Sequence, residues 1–531
     1  MRKILFLIYI LALSYAAIGC SSTEEPLSTI ENIEKLEESP LDYKIENIVL
    51  SKSFQFLDSN VEILEKNKSL KLLASVGLIE SSGIEIKKIT QIGNTINIYI
   101  NRLLNGDQIQ LAVPQIKFEI SSPISQNPKD LNFNIIHENY KPISIKFNKN
   151  QILDKIYKQF KIEPNTVPQV TLNKYRGDII WNISFTNIFD KENQKSPLIN
   201  LNVEVDALTG EILDSNKENI SSYIDEGYLL DYIPNSFLLY KTEQIKNGTL
   251  YESLWTYNME TGTRNNLFTT RHKIHSALFS QNSEYISLIE IDESKTQTYL
   301  YLIERPNKLS YKITPIHHLQ PKLIRWKDNV LYFVDIKDKT STLLTYNVED
   351  KECKTLFKID KVIDSFDILG DRFLFTEPTD YSLNKNIFIT HDGDYLKEIG
   401  TGFKASFLDE NNIMFLENIE KKDKNILNIY DLEEDRQIQS LNYDIANYYK
   451  LNNEEILFIE KASCNNNYIL TEYNLNEKTP IFTATITSDR IFFDSNKKEG
   501  YVSLSLPHEE DKRNVICAID LNKLNLIEGK N

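Results

Sequence analysis

The chain has 531 residues, room for two or three domains that each bury a core of their own. Its 76 acidic and 60 basic side chains leave a formal net charge of −16, which argues against nucleic acid and anionic lipid headgroups as charge-driven partners. Besides Cys20 there are three cysteines, Cys353, Cys464 and Cys517, set too far apart for a dense disulfide framework and without any CxxC or Cys/His spacing for zinc.

Arg2 and Lys3 form a short positive stretch, and Ile4 to Leu13 is an apolar run shorter than the roughly 20 residues of a membrane-spanning helix. The run closes on Ala17-Ile18-Gly19-Cys20, followed by Ser21-Ser22. These residues resemble a bacterial lipobox, with Ala17 where that family usually has Leu. The resemblance implies cleavage before Cys20, lipidation of its thiol, and a mature protein held to a membrane on the extracytoplasmic side. Two or three acyl chains anchor far better than one, whose binding is marginal. An ordinary secretory signal with an incidental cysteine is the plainer alternative. Residues 21–40, rich in Glu and Ser, read as a solvated tether.

From about residue 41 to 220 the pattern mixes strands with a helix. Ile84 to Arg102 alternates apolar and polar residues on both sides of Gly93-Asn94, a hairpin signal, and Leu111 to Ile120 gives another strand. Asn150 to Phe160 places Ile152, Ile156 and Phe160 on one helical face, with Asn148 or Asn150 as the cap. Strands follow at Asp178 to Phe185 and Leu198 to Asp206, with a turn at Thr209-Gly210. The order of helix, Trp181-bearing strand and Val205-Asp206-Ala207 with Thr209-Gly210-Glu211-Ile212-Leu213 resembles a PepSY domain over about residues 145–215. That resemblance implies an exported protein and a module without chemistry of its own, one that in the propeptides of secreted peptidases can inhibit. A generic α+β region in which Asp206 and Thr209 only shape a turn stands beside it.

Beyond residue 221 the pattern is strands alone, and it repeats. An apolar strand ends on Tyr257-Asn258, Ile303-Glu304, Tyr346-Asn347, His391-Asp392, Tyr430-Asp431, Tyr473-Asn474 and Ile519-Asp520, at spacings of 46, 43, 45, 39, 43 and 46 residues. Units of this length with about four strands are the signature of β-propeller blades, and seven of them fill the region. Phe279 to Ile286 (FSQNSEYI) resembles the FSPDGKYIAF unit of TolB-type propellers. The expected fold is therefore mainly β: a C-terminal seven-bladed propeller preceded by a smaller, PepSY-like α+β region. A β-sandwich array with accidental spacing is the alternative.

Motifs with chemistry are absent. Only Trp181, Trp255 and Trp326 occur, too few for the tryptophan docking of quinoprotein dehydrogenases; there is no sialidase box and no GxSxG elbow, P-loop, HExxH or EF-hand. His272, His275, His317 and His318 sit at the starts of successive blades and could approach one another as metal ligands, but exposed loop histidines read better. His391 falls at a repeat position and reads as a blade residue. Asp392-Gly393-Asp394 and Asp494-Ser495-Asn496 resemble fragments of calcium loops, a composition that ordinary turns share.

The expectation is a membrane-anchored binding or scaffolding module that is not an enzyme, with no catalytic residue, cofactor or metal. Its partners would be the membrane through Cys20 and a protein or cell-envelope component on the propeller. Two alternatives are a regulator of a secreted or cell-wall peptidase through the PepSY-like region, and a polysaccharide-active propeller enzyme. The last would require two carboxylates roughly 5–9.5 Å apart in a rim cleft.

Overall fold

A computed structural model of the chain describes residues 37–66, 70–105, 109–122, 124, 130–163, 166–313, 316–317, 319–380, 382–462, 468–506 and 514–524. Cys20, the leader and most of the tether lie outside these residues, as do His318 and Cys464. The described chain is mainly β, with one α-helix, Lys149–Phe160, called α1 below. It divides into two compact units, residues 1–51 with 56–143, and residues 52–55 with 144–531. The division thus falls at 143/144, inside the stretch that composition alone presents as one α+β region.

The first unit is built from two sheets. In one, Gly83–Ile92 and Thr95–Leu103 form the expected hairpin, with Ile92 opposite Thr95 across Gly93-Asn94 and Gly93 at φ +59°. Thr95–Leu103 also pairs in parallel with Asn132–His137. In the other, Gln110–Ile120 lies between Tyr43–Ser51 and Leu70–Val76. Period-two alternation sends Ile96, Ile98 and Ile100 into the same core as Leu72, Ala74, Ile116 and Phe118.

The second unit begins with α1 and its sheet. Asn148 caps the helix: its side chain accepts from the Gln151 N–H, and the Gln151 side chain accepts from the Asn148 N–H, a complete capping box. Ile152 and Ile156 form the buried stripe. Asp178–Asp190 pairs with Gln169–Tyr175 on one side and Leu198–Asp206 on the other, and Ile212–Asn219 completes the meander. Trp181 is fully buried; its indole N–H donates to the Phe147 carbonyl at 3.0 Å and its ring meets that of Phe54 edge-on. Asp206 Oδ1 accepts from the backbone N–H groups of Leu208 and Thr209, and Gly210 adopts φ +72° with the Phe147 ring where a Cβ would sit. Here, then, the Asp-x-x-Thr-Gly sequence shapes a turn and presses it onto the strap that leads into α1.

The repeats form five four-stranded antiparallel sheets and one seven-stranded sheet spanning Ser365–Leu369 to Arg436–Leu441, each a meander of sequence-consecutive strands. One strand breaks sequence order: Ser221–Glu226, the first of the region, pairs with Asn514–Asp520, the last. A chain whose first strand completes its final sheet is closed on itself, which is β-propeller architecture without exposed ring edges.

Every repeat mark recognised in the sequence falls at the end of a strand or just past it: the third strand of each four-stranded meander, and the third and sixth strands of the seven-stranded sheet. The polar residue there is mostly an Asx cap for the following turn. Asn258, Asp431 and Asn474 each accept two backbone N–H groups on one side-chain oxygen. The TolB-like stretch is likewise a turn, between Lys273–Phe279 and Tyr285–Asp292, in which the Tyr285 N–H donates to Ser280 Oγ at 3.0 Å.

Neighbouring sheets are stitched by polar side chains on the third strands. Glu252, 4% exposed, accepts the Ile274 N–H at 2.7 Å and the Lys241 ammonium at 2.9 Å, while Lys241 also donates to the Ile274 carbonyl. Ser341 accepts the Ile363 N–H, and Asn425 donates to the Ile445 carbonyl, at the corresponding junctions. Between these seams lie apolar cores such as the row Phe366, Phe373, Phe375 and Phe388, whose rings succeed one another at 5.1–5.6 Å.

Candidate functional site

The residues singled out from sequence are spent on local structure. His272 Nδ1 lies 3.6 Å from Asp292, and His317 binds Asp335 twice, through its ring at 2.7 Å and its backbone N–H at 2.7 Å. His275 is held below the usual imidazole range by burial, then by Lys273 and Lys241, and His391 pairs with Asp371 at 3.3 Å beyond the end of its strand. Asp392 accepts the N–H groups of Asp394 and Tyr395, and Asp494 those of Asn496 and Lys497, so both acidic turns use their carboxylates as Asx caps. Among the described residues no three His, Cys, Asp or Glu side chains stand together as a metal site. Cys353 is exposed and Cys517 is buried; burial raises both thiols, Cys517 to about 12, well away from the reactive thiolate form.

The structure instead gathers charged groups on the first strands of the meanders, which surround the axis of a propeller. Tyr228–Ile233 carries a lone acid, Asp231, in the run YLLDYI; Ser365–Leu369 carries another, Asp367, in SFDIL. They do the same structural work. Asp231 accepts the backbone N–H of Phe279 at 2.7 Å and Asp367 that of Phe407 at 2.9 Å, each reaching the last residue of the next first strand. Burial pushes Asp231 up to about 6, opposed by the N–H groups of Phe279 and Tyr232. Burial also raises Asp367, and Arg325, on Ile324–Lys327, is among the groups that oppose the rise. Burial in turn lowers the Arg325 guanidinium, which sits over the Phe366 ring at 5.8 Å.

Tyr448, on Ile445–Lys450, feels both charges and packs deeply: its hydroxyl approaches Ser406 Oγ at 3.0 Å and donates to the Met414 carbonyl at 3.0 Å, its proton held far above the usual phenol range chiefly by burial. Lys404, on Lys397–Phe407, feels the charges of Lys322, in the 3-10 turn Pro321–Leu323, and of Arg490, in the segment before Phe492–Asp494. Lys404 Nζ donates to the Ala446 carbonyl at 3.1 Å and to Asn447 Oδ1 at 3.0 Å. Asn447 Nδ2 in turn donates to the Tyr449 hydroxyl at 2.6 Å. Burial lifts that hydroxyl to about 12, so it keeps its proton at neutral pH.

Such an arrangement offers fixed charges and hydrogen-bond donors in a partly desolvated setting, where electrostatic contacts count for more than in bulk water. A concavity of about 770 Å³ lies where the α1 sheet meets the last meander, lined by Lys195, Lys497, Glu499, Asp520 and Lys523 among others. Lys523 spans it, donating to the Asn219 carbonyl at 2.8 Å.

Sequence reasoning missed the axial residues. The available signal was an isolated charge inside a short apolar strand, as in YLLDYI, SFDIL and LIRW; such a charge requires a partner, and here the partners come from other sheets.

No protein-family model matches the chain, and no curated protein matches it. Solved structures resemble it in fold. An oligogalacturonate lyase in complex with manganese aligns at 10% identity, covering 60% of this chain and 96% of that one, with a TM-score of 0.42. TolB from Acinetobacter baumannii aligns at 11% over 65% of this chain and 86% of its own, TM-score 0.32. The β-propeller domain of the Trilobed protease from Pyrococcus furiosus aligns at 14% over 60% and 99%, TM-score 0.33. At these TM-scores the propeller assignment stands on the strand pairing itself.

One expectation is corrected. The lack of sequence motifs pointed to a protein that is not an enzyme, yet enzymes, the oligogalacturonate lyases, stand among the similar structures. The physical reason is that a propeller gathers its axial residues from strands some 40 residues apart, so a site need leave no contiguous motif.

Proposed function

We propose that this protein is an extracytoplasmic lipoprotein, tied to a membrane through Cys20, whose seven-bladed propeller binds its partner through the axis. The observation that carries the reading is the convergence of Arg325, Asp367, Lys404 and Tyr448 from four different strands, joined by Arg490 from the segment just before Phe492–Asp494.

The blade count rests on the seven-stranded sheet. Its strand Lys397–Phe407 pairs through Lys397–Gly402 with Lys385–Ile389, and through Phe403–Phe407 with Ile413–Leu416. One strand therefore serves as the outer edge of one blade and the inner edge of the next, and the six sheets contain seven blades. The α1 sheet, with its PepSY-like order, directly precedes the ring in the chain. It packs into the ring without a break, since Phe189, Leu198 and Ile220 share a core with Leu521 and Leu524.

The anchor and the binding site are tested separately. Palmitate labelling should be lost in Cys20→Ser, with the protein released from membranes; labelling that persists would remove the anchor. Arg325→Ala and Asp367→Ala should weaken capture of a membrane or envelope partner relative to wild type. Capture unchanged from wild type, or equal to that of a chain lacking residues 221–531, would remove the axial reading.

A further inference from the structure

We propose that the cavity of about 770 Å³ between the α1 sheet and the last meander is a binding site for a short acidic peptide with a free amino terminus, a ligand that brings two carboxylates and one ammonium group. The site lies apart from the axial residues and does not rest on the axial reading.

Four stretches distant in sequence build it: the turn carrying Lys195, the junction of Ile212–Asn219 with Ser221–Glu226, the turn carrying Lys497, and the 3-10 turn Leu521–Leu524 with Lys523. Hydrogen bonds tie these stretches together. The Tyr223 N–H donates to the Lys195 carbonyl at 2.9 Å, and the Leu198 N–H to Ser221 Oγ at 2.9 Å. The Asp520 N–H donates to the Ile220 carbonyl at 2.9 Å, and the Lys523 ammonium to the Asn219 carbonyl at 2.8 Å. The walls are thus set before any ligand arrives, as small-molecule pockets usually are.

The charges on those walls do not cancel. Lys523 lies 3.4 Å from Glu218 and 3.9 Å from Asp520, so its ammonium is matched within the protein. The Lys195 ammonium has no hydrogen-bond or ion-pair partner among the described residues. Lys497 meets a carboxylate only at 4.0 Å, that of Asp494. Glu499 accepts the Tyr501 hydroxyl at 2.5 Å, a neutral donor, and pairs with no cation among the described residues. Two cations and one anion therefore line one cavity without close counter-charges, in a chain whose net charge is −16.

The complement of that set defines the ligand. A carboxylate suits each lysine and an ammonium suits Glu499, all as charge-assisted hydrogen bonds. Asn193 and Asn522 add side-chain amides, which match a peptide's own N–H and C=O groups. No aromatic ring lines the cavity, so a sugar or a nucleobase finds no face to stack on. Capture of peptide termini by fixed polar groups is a recurring mode of recognition.

The test is isothermal titration of the full mature chain in detergent micelles, with the dipeptide alanyl-glutamate in one arm and its N-acetyl form, which lacks the ammonium, in the other. Alanyl-glutamate should bind saturably, and acetylation should weaken it about tenfold or more. Lys195→Gln should weaken both ligands about tenfold, whereas Glu499→Gln should weaken only the free dipeptide and abolish the discrimination between the two. Lys354→Gln, on the strand Glu352–Ile359 of another sheet, should change neither. Each variant is checked for an unaltered circular dichroism spectrum, and two positions are used so that one misfolded variant does not decide the matter. No saturation by alanyl-glutamate up to about 10 mM, a weak limit for a specific site, would overturn the proposal. So would equal affinity for the acetylated form, or equal affinity in wild type and both cavity variants. Partner capture is a separate readout, so failure here leaves the axial reading standing.

Discussion

The repeat region and the N-terminal unit are both antiparallel β in the main, yet they differ in how their pairing is organised. From Tyr228 onward each strand pairs only with its sequence neighbours within one meander, and only Ser221–Glu226 reaches across the chain to Asn514–Asp520. In the N-terminal unit Tyr43–Ser51 seeks Gln110–Ile120, and Thr95–Leu103 takes Asn132–His137 in parallel. Local pairing repeated at a fixed length leaves a period in the sequence; long-range pairing used once leaves only alternation. The comparison teaches that these two kinds of β structure, alike in composition, differ in legibility because they differ in contact order.

Core truncation should break the two regions separately. Phe118→Ala in the first unit and Phe375→Ala in the repeats each delete a fully buried ring, at a cost of about 3–5 kcal/mol. Calorimetry should show the first lowering one transition and the second another; a single transition moved equally by both would contradict the division into units.

The seams between blades come next. Glu252→Ala strands the Lys241 ammonium and the Ile274 N–H in a buried site and should cost about 3–5 kcal/mol. Glu252→Gln keeps the acceptor and should recover part of that loss in chemical denaturation.

Asp231 gives a signed pH dependence. Its folded value, about 6, lies above the ordinary 3.8, so folding favours the protonated acid. Stability is then unpenalised below about pH 4, falls as pH rises through the interval to about 6, and stays lower by up to about 3 kcal/mol above it. Asp231→Asn, which can still accept the Phe279 N–H, should therefore raise the melting temperature at pH 8 and change it little at pH 4. An equal effect at both would contradict the buried setting.

The smallest effect belongs to the turns. Asn474→Ala removes an Asx cap that accepts from Asn476 and Glu477 and should cost about 1 kcal/mol. Asp206→Ala should cost a similar amount if its role in the α1 sheet is only to shape a turn.

Much of the fold was open to sequence reasoning for physical reasons. Polar residues such as Asn258 and Asp431 stood out because turns need side-chain acceptors, and α1 was marked by Ile152 and Ile156 with its cap at Asn148. The boundary at 143/144 was hidden, because the segment KPISIKFNKN carries no linker composition. The axial site was hidden for a different reason. Arg325, Asp367 and Tyr448 are single residues on strands far apart in sequence, and only the fold brings their charges within reach of one another. The histidines and acidic turns that did attract notice had the right chemistry but local partners.

Everything said of the axis depends on closure of the ring, and Tyr223 tests it directly. Tyr223 lies opposite Cys517 in the pairing of Ser221–Glu226 with Asn514–Asp520. Cross-strand neighbours of this kind fall within the reach of a disulfide. Tyr223→Cys, refolded with oxidised glutathione and digested, should yield a single cross-linked peptide pair joining residue 223 to Cys517. A folded variant in which residue 223 remains open to maleimide, and Cys517 is found unlinked, would contradict the closed ring.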